Sequence, residues 1–389
     1  MKQIGIPMQM TNVHGWGIYA YQLVARLLET QAAFPVLLTL ENPRLGEPEL
    51  ARVKPAIDYF QSTTREQFSS LRAGGGAAFA NCPVLHGLNN NFTCGSGVKG
   101  PDRDYATVFF EHTQFSPERV AFAKSMRRII TGSQWNTDVV RSLGIDTVEL
   151  CHQGIDTRIF FPGPRSDLYP KDRFVVFSGG QFHLRKGQDI ALAAFRRFRE
   201  RHPDALLVFA WHSHWPAFAR TMLKSPHLAG WPMQGDEIDF DALMGLHGIP
   251  PEGYINLGLN PHHRFGAIFR GVDAAVFPNR CEGGTNLVAM EALASGVPCV
   301  VAANTGQIDL VQVADTFVLE HQPPVAADLL PDGVDGWGES SVEELVERLE
   351  EIYTSPDAAR AKGARSAKVM ASWTWARQAD RIIRALDLP

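Results

Sequence analysis

The chain has 389 residues, 45% of them hydrophobic and 20% charged, with a formal net charge of −5 and a pI near 6.2. That length asks for about two α/β-sized domains with real cores, and the charge gives no push toward nucleic acid or an anionic membrane. No run of roughly 18 apolar residues is present to span a bilayer, and the five cysteines (Cys82, Cys94, Cys151, Cys281, Cys299) form no CxxC pair, which argues against a disulfide framework or zinc knuckle and for a reducing cytoplasm.

Short apolar strands followed by amphipathic helices recur along both halves, the pattern of parallel sheets wrapped by helices. Ile4–Met8 reads as a first strand rather than the long apolar region of a secretory leader. After the Gly-rich turn His14-Gly15-Trp16-Gly17, Ile18–Leu28 carries helical periodicity, and Phe34–Leu40 returns as a strand. Tyr105–Phe110 and Arg128–Thr131 are further strands, with a helix over Pro117–Met126 between them, and Thr147–Cys151 ends the half. Phe160-Phe161-Pro162-Gly163-Pro164 is a natural linker, since its prolines and glycine stop regular structure. The second half opens on the strand Phe174–Ser178, followed by a helix over Asp189–Glu200 and strands at Ala205–Ala210, Ala274–Phe277 and Cys299–Ala302. The stretch from Trp211 to Met233 has no clear period. Two helices, Val342–Tyr353 and Trp375–Leu386, are expected at the end, and no solenoid repeat is visible.

The stretch that carries most chemistry begins where the strand Ala274–Phe277 ends, the place at which open α/β sheets bind ligands. It reads Pro278-Asn279-Arg280-Cys281-Glu282-Gly283-Gly284-Thr285-Asn286-Leu287, continuing through Glu291 to Pro298. Its glycines let backbone approach a ligand, and Thr285–Leu287 should open a helix whose free amides suit a diphosphate. Glu282 and Glu291 are placed to accept hydrogen bonds from vicinal hydroxyls of a ribose or hexose. Alone, Gly-Gly-Thr-Asn would be an ordinary turn. A second segment, Phe174–Ser178 followed by Gly179-Gly180-Gln181-Phe182-His183-Leu184-Arg185-Lys186-Gly187, is a strand, a glycine pair, cations and a helix, which is a phosphate-handling order. A third, Cys151-His152-Gln153-Gly154-Ile155-Asp156 running to Phe160-Phe161-Pro162, is a strand end leading into a Pro-restricted hinge.

Taken in order, these three segments resemble the signatures of the retaining glycosyltransferases of family 4, over most of residues 105–386. The resemblance implies a GT-B fold of class α/β: two facing Rossmann-like domains with parallel sheets. They are expected at 1–163 (acceptor side) and 164–371 (nucleotide-sugar donor), with the C-terminal 372–389 helix packing back onto the first near Ser372-Trp373-Thr374-Trp375. It further implies transfer of a sugar, hexosyl in type, from a nucleoside diphosphate sugar to an acceptor hydroxyl, with retained configuration and no metal or other cofactor. The acceptor is open among sugar, lipid and protein. By the same resemblance Glu291 holds the ribose. The Gly284, Thr285, Asn286 and Leu287 backbone and Lys186 hold the diphosphate, and Glu282 the sugar. His112, after the strand Tyr105–Phe110, lies near the transferred sugar, and Gly15 and Gly17 approach the donor phosphate. Lys186, Glu282 and His112 are thus the candidate catalytic residues. Two departures stand out. Eight residues separate Glu282 from Glu291 where the family has seven, and Gln181 occupies the place of the family arginine, so that Arg185 is the candidate to replace that charge.

Other features read as ordinary. The His14–Gly17 turn lacks a full GxGxxG dinucleotide fingerprint. Trp211-His212-Ser213-His214-Trp215 has metal-like spacing without a clear third ligand, His262-His263 reads as a solvated pair, and Asp102-Arg103-Asp104 sits in a Gly- and Pro-rich loop. The basic clusters Arg196, Arg197, Arg199, Arg201 and Lys124, Arg127, Arg128 leave peripheral membrane contact open, while Asn91-Phe92-Thr93 is a sequon only in form. The rival readings are another GT-B reaction, such as nucleotide-sugar epimerisation or phosphorolysis, and a non-catalytic sugar-binding protein on a decayed transferase scaffold.

Overall fold

A computed structural model describes residues 1–73, 78–213, 216–234 and 237–388. The chain divides into two units: Met1–Gly154 with Trp373–Pro389, and Ile155–Ser372.

The main strands of the first unit, all parallel, are β1 (Gln3–Ile6), β2 (Phe34–Leu37), β3 (Leu85–Leu88), β4 (Tyr105–Val108), β5 (Arg128–Thr131) and β6 (Val148–Leu150). β1 pairs with β2, the order β3-β4-β5-β6 forms the larger sheet, and a single bridge from Gly5 to Val84 links the two sets. Parallel strands covered by helices must be apolar on both faces, and all four residues of β4 are buried. Helix α1 (Gly15–Thr30) starts where His14 Nδ1 accepts from the Gly17 amide at 3.1 Å, an imidazole serving as N-cap. Helix α2 (Glu47–Tyr59) follows β2 in a stretch where the sequence offered no clear element.

The second unit holds a six-stranded parallel sheet of β7 (Phe174–Gln181), β8 (Ala205–His212), β9 (Tyr254–Asn256), β10 (Ala274–Phe277), β11 (Cys299–Ala302) and β12 (Phe317–Leu319), in the order β9-β8-β7-β10-β11-β12. Every residue of β10 and β11 is buried, each large apolar side chain contributing roughly 1.5–3 kcal/mol. Helices α3 (Gln188–Arg201) and α4 (Leu287–Ala294) follow β7 and β10. Helix α5 (Val342–Thr354) buries Val342, Leu345, Val346, Leu349 and Ile352, the 3.6-residue stripe that made it legible, and Ser341 caps it at the Glu344 amide, 3.2 Å away.

The structure amends several expectations. β7 and β8 each extend past their expected ends, so Gly179, Gly180 and Gln181 lie within the strand and Gln181 pairs with His212. A helix absent from the sequence reading, α6 (Pro356–Met370), precedes the last helix α7 (Trp375–Leu386). Its Gly363 passes the Gly296 carbonyl so closely that a Cβ would stand 2.2 Å from that oxygen. The division expected at 163/164 falls instead at 154/155. Residues after Gly154 are tied to the second unit, where the Ile159 carbonyl lies against Gly266 and Arg165 pairs with Asp273. Helix α7 counts with the first unit: Arg26 of α1 makes two hydrogen bonds of 2.8 Å to Asp380, and Arg128 donates to the Ala385 carbonyl at 2.8 Å. In the region without clear period, Met233 pairs antiparallel with Ile238; His214 and Trp215 lie outside the described residues.

Candidate functional site

The loop leaving β10 is clamped on both sides by contacts that tolerate no side chain. Gly187, in the left-handed region at φ 67°, passes so close to the loop that a Cβ there would stand 2.0 Å from the Pro278 carbonyl oxygen, and one at Gly306 would stand 1.8 Å from that of Gly284. Between these clamps Arg280 turns fully inward. Its two terminal nitrogens each donate to Asp189 at 2.8 Å, one also reaches the Leu184 carbonyl at 2.7 Å, and the guanidinium pairs with Glu339 as well. A buried charge needs such complete pairing. Burial opposes the Arg280 charge, but Asp189 and Glu339 outweigh it and raise its pKa. The Arg280 and Cys281 amides both donate to the Arg185 carbonyl, at 2.7 and 3.2 Å, so the β10 loop and the β7 loop form one body.

This body brings three expected residues together. Glu282 is buried. One of its carboxylate oxygens accepts from Lys186 Nζ and Asn279 Nδ2, the other from an Arg185 guanidinium nitrogen at 3.3 Å. Its backbone is fixed too: its amide donates to Thr305 Oγ1 at 2.9 Å and its carbonyl accepts from the Gly306 amide at 3.0 Å. Two cations therefore face one carboxylate at the carboxyl ends of β7 and β10, on a frame that cannot easily shift.

The helix after the loop begins later than expected. Asn286 adopts φ 64° and caps α4 by accepting from the Ala289 amide at 3.3 Å, an αL position that asparagine tolerates better than most residues. The helix opens at Leu287, so Thr285 and Asn286 precede it. Thr285 is buried, its hydroxyl directed to the Met290 sulfur at 2.9 Å. Glu291 remains on α4 and is buried, with Oε1 2.6 Å from His262 Nε2. His262, read from sequence as half of a solvated pair, is instead a largely enclosed partner of that glutamate and packs on Phe160, ring centroids 5.1 Å apart.

The remaining expected residues are placed as follows. Gln181 ends β7; its carbonyl accepts from Gln188 Nε2 at 2.7 Å, and its own Nε2 is buried with no partner among the described residues. In the first unit, a Cβ on Gly17 would stand 2.0 Å from the Thr11 side chain, so packing of α1 explains that glycine, whereas Gly15 has nothing nearer than Gln153 Nε2 at 3.8 Å. His112 follows β4 in an irregular, half-buried stretch beside Glu111, whose amide donates to Asn90 Oδ1 at 3.0 Å. Asp104 is turned inward to His86 at 3.1 Å. Sequence reasoning missed Arg280, Asp189, Asn279, Thr305 and His262. Only Arg280, a cation between a strand end and a Gly-Gly turn, carried any local signal.

Residues 262–382 match the family model described as Family 4 Glycosyltransferase in conflict systems. No curated protein sequence matches the chain. Among solved structures, sucrose-phosphate synthase from Thermosynechococcus elongatus is similar at 16% identity with a TM-score of 0.66, over 98% of this chain and 97% of that one. HepE from Anabaena, solved with UDP and glucose, is similar at 14% identity and a TM-score of 0.61, over 100% and 99%. A glycosyltransferase from Rickettsia africae gives 10% and 0.61, over 99% and 98%. The fold is that of the GT-B glycosyltransferases. The part that matches the family model, residues 262–382, lies in the second unit and runs into the last helix of the first.

Proposed function

We propose that the protein transfers a hexose from a nucleoside diphosphate sugar to an acceptor hydroxyl with retention of configuration and without a metal ion. The observation that carries this reading is the Arg185–Lys186–Glu282 cluster at the strand ends, beside the entry to α4. Departure of a nucleoside diphosphate places charge on a phosphate oxygen, and fixed cations with helix-terminal amides are the groups that stabilise it. In this reading Lys186 and Arg185 bind the diphosphate with the Gly284–Leu287 backbone, Gln181 Nε2 supplies a further donor, Glu282 meets the sugar, and Glu291 the ribose. His112 is assigned a sugar contact, and the Gly15 backbone a contact to the donor. The UDP and glucose bound to HepE favour a uridine donor. The acceptor is a sugar, lipid or protein hydroxyl.

Incubation with UDP-, GDP- and ADP-sugars tests the reading, following released nucleotide and the anomeric configuration of product by NMR. Nucleotide release dependent on an added acceptor, with a retained anomer, is expected. Interconversion of the donor without acceptor would instead identify an epimerase, and a folded protein that binds no nucleotide sugar would overturn the proposal.

A further inference from the structure

The first unit contains a second cluster of reactive groups that sugar transfer leaves unused. His86 lies on β3, and the pairing of Leu85 with Tyr105 sets it beside Asp104, which precedes β4. His86 Nε2 stands 3.1 Å from Asp104 Oδ2. On the other side of the ring, Nδ1 stands 3.2 Å from Cys94 Sγ and 3.3 Å from Ser96 Oγ, with Ser96 Oγ 3.0 Å from the sulfur. The carboxylate is itself held by the amides of Val84 and Gly100, each at 3.0 Å. His86 and Asp104 are buried and Cys94 is half-buried. This is the order of a thiol nucleophile, a base that takes its proton and a carboxylate that orients the base.

The surroundings favour the thiolate. Burial would discharge His86, yet Asp104 and Cys94, the charged groups facing it, push its pKa up to about 9. Burial pushes the Cys94 thiol up, but His86 and Ser96 more than reverse that and hold it below the ordinary thiol value. The other four cysteines are buried. Cys94, Gly95 and Ser96 form one wall of a cavity of about 290 Å³ whose other walls include Met8, Leu38, Leu40 and Phe68, with Glu41 also lining it. Such a space, lined also by Thr39 and Ser96, fits a small uncharged group better than an anion.

We infer that Cys94, His86 and Asp104 form a second, nucleophilic site, which takes the acyl group of a small neutral ester onto the Cys94 sulfur. Sγ attacks the carbonyl carbon, a C–S bond forms as the ester C–O bond breaks, and the proton on His86 Nδ1 passes to the departing alkoxide. Water then attacks the thioester and gives its proton to His86, releasing the carboxylic acid and restoring the thiolate and imidazolium. Asp104 is a positioning residue, keeping the Nε2 proton in place.

The test uses the full chain with p-nitrophenyl acetate. A burst of about one equivalent of nitrophenolate is expected, with the acetyl group found on the Cys94 peptide by mass spectrometry. Cys94→Ser abolishes the burst. Iodoacetamide should alkylate Cys94 at about pH 6 at least ~10-fold faster than the same cysteine in a free peptide of residues 90–98, and His86→Gln should remove that advantage while leaving the advantage at pH above 9 small in both. Because the comparison with the free peptide needs no variant, a misfolded His86→Gln does not blunt the test. A folded wild type without thioester on Cys94, or with alkylation no faster than the peptide, would overturn the site.

Discussion

Arg280 and Asp189 meet as a two-pronged ion pair inside the second unit, each terminal guanidinium nitrogen 2.8 Å from a different carboxylate oxygen. The pair ties the loop after β10 to the first turn of α3. It therefore sets where Arg185 and Lys186 stand relative to Glu282, without itself being a donor contact in the proposed reading.

Arg280→Ala should cost about 3–5 kcal/mol of stability, because it strands the Asp189 carboxylate in a dry environment. Urea denaturation measures this. A double-mutant cycle with Asp189→Asn should recover part of the loss, since removing both charges leaves less unpaired. Stability unchanged in Arg280→Ala would mean the pair is not buried as described.

The same pair shapes the acid limb of stability. Burial pushes the Asp189 carboxyl up, but the Arg280 charge and the hydrogen bonds from Arg280 and Ser225 outweigh it, and the pKa is lowered. A folded pKa below the unfolded value gives stability that is fully present above about pH 4 and is lost as pH falls through the folded pKa. Asp189→Asn should lower stability at neutral pH and flatten its decline below about pH 4. Denaturation midpoints across that range check it; an equally steep acid decline in the variant would assign the acid sensitivity to other carboxylates.

If Lys186 stabilises the leaving diphosphate, Lys186→Ala should lower kcat and kcat/KM together, by roughly 10²–10³-fold, because the interaction strengthens as charge develops. Activity should survive EDTA. Steady-state kinetics after chelation decide both points: complete loss in EDTA with rescue by magnesium or manganese would replace the metal-free mechanism.

Glu291→Ala should weaken nucleoside diphosphate binding by roughly 1.5–3 kcal/mol, the cost of losing hydrogen bonds to a carboxylate. His262→Ala should weaken it less, since that histidine acts by holding Glu291 Oε1 at 2.6 Å. Calorimetry with UDP measures both, and a His262 variant affected more than the Glu291 variant would place the histidine itself on the nucleotide.

Glu282→Gln separates sugar from nucleotide. Turnover of the sugar donor should fall more than affinity for bare UDP. Because the carboxylate faces Lys186 and Arg185, removing its charge frees both cations, and UDP affinity should hold or rise. Equal loss for UDP and UDP-sugar would remove Glu282 from the sugar.

Most strands of both units were legible because buried parallel strands are short, continuously apolar runs, as in Ala274–Phe277 and Cys299–Ala302, whereas Leu85–Leu88, Tyr254–Asn256 and Phe317–Leu319 were not read from the sequence. That Lys186 and Glu282 share a site followed from the family resemblance; the structure adds the reason, that the strands before them, β7 and β10, are neighbours in the sheet. The Arg280–Asp189 and His262–Glu291 pairs were not legible. Their members lie 91 and 29 residues apart, and a pairing across that separation leaves no period in the sequence. The start of α4 was misplaced by two residues for a different reason: Thr285 and Asn286 look like helix-opening residues, and only the φ of 64° at Asn286 reveals that the chain is still turning. Helix α6 was missed because its buried positions, Ala359, Gly363, Ser366, Ala367 and Met370, are mostly small and give no apolar stripe.

The return of α7 to the first unit also dictates an order of assembly. Residues 373–388 supply that unit with the Asp380 partner of Arg26 and the Ala385 carbonyl that receives Arg128, yet they are made only after the whole of the second unit. Until α7 is made, the N-terminal sheet lacks these contacts, while the entire second unit, whose strands and helices all lie between Ile155 and Ser372, emerges and can close on its own core. The later-made unit is thus free to finish first, and the earlier-made one matures only once α7 has emerged.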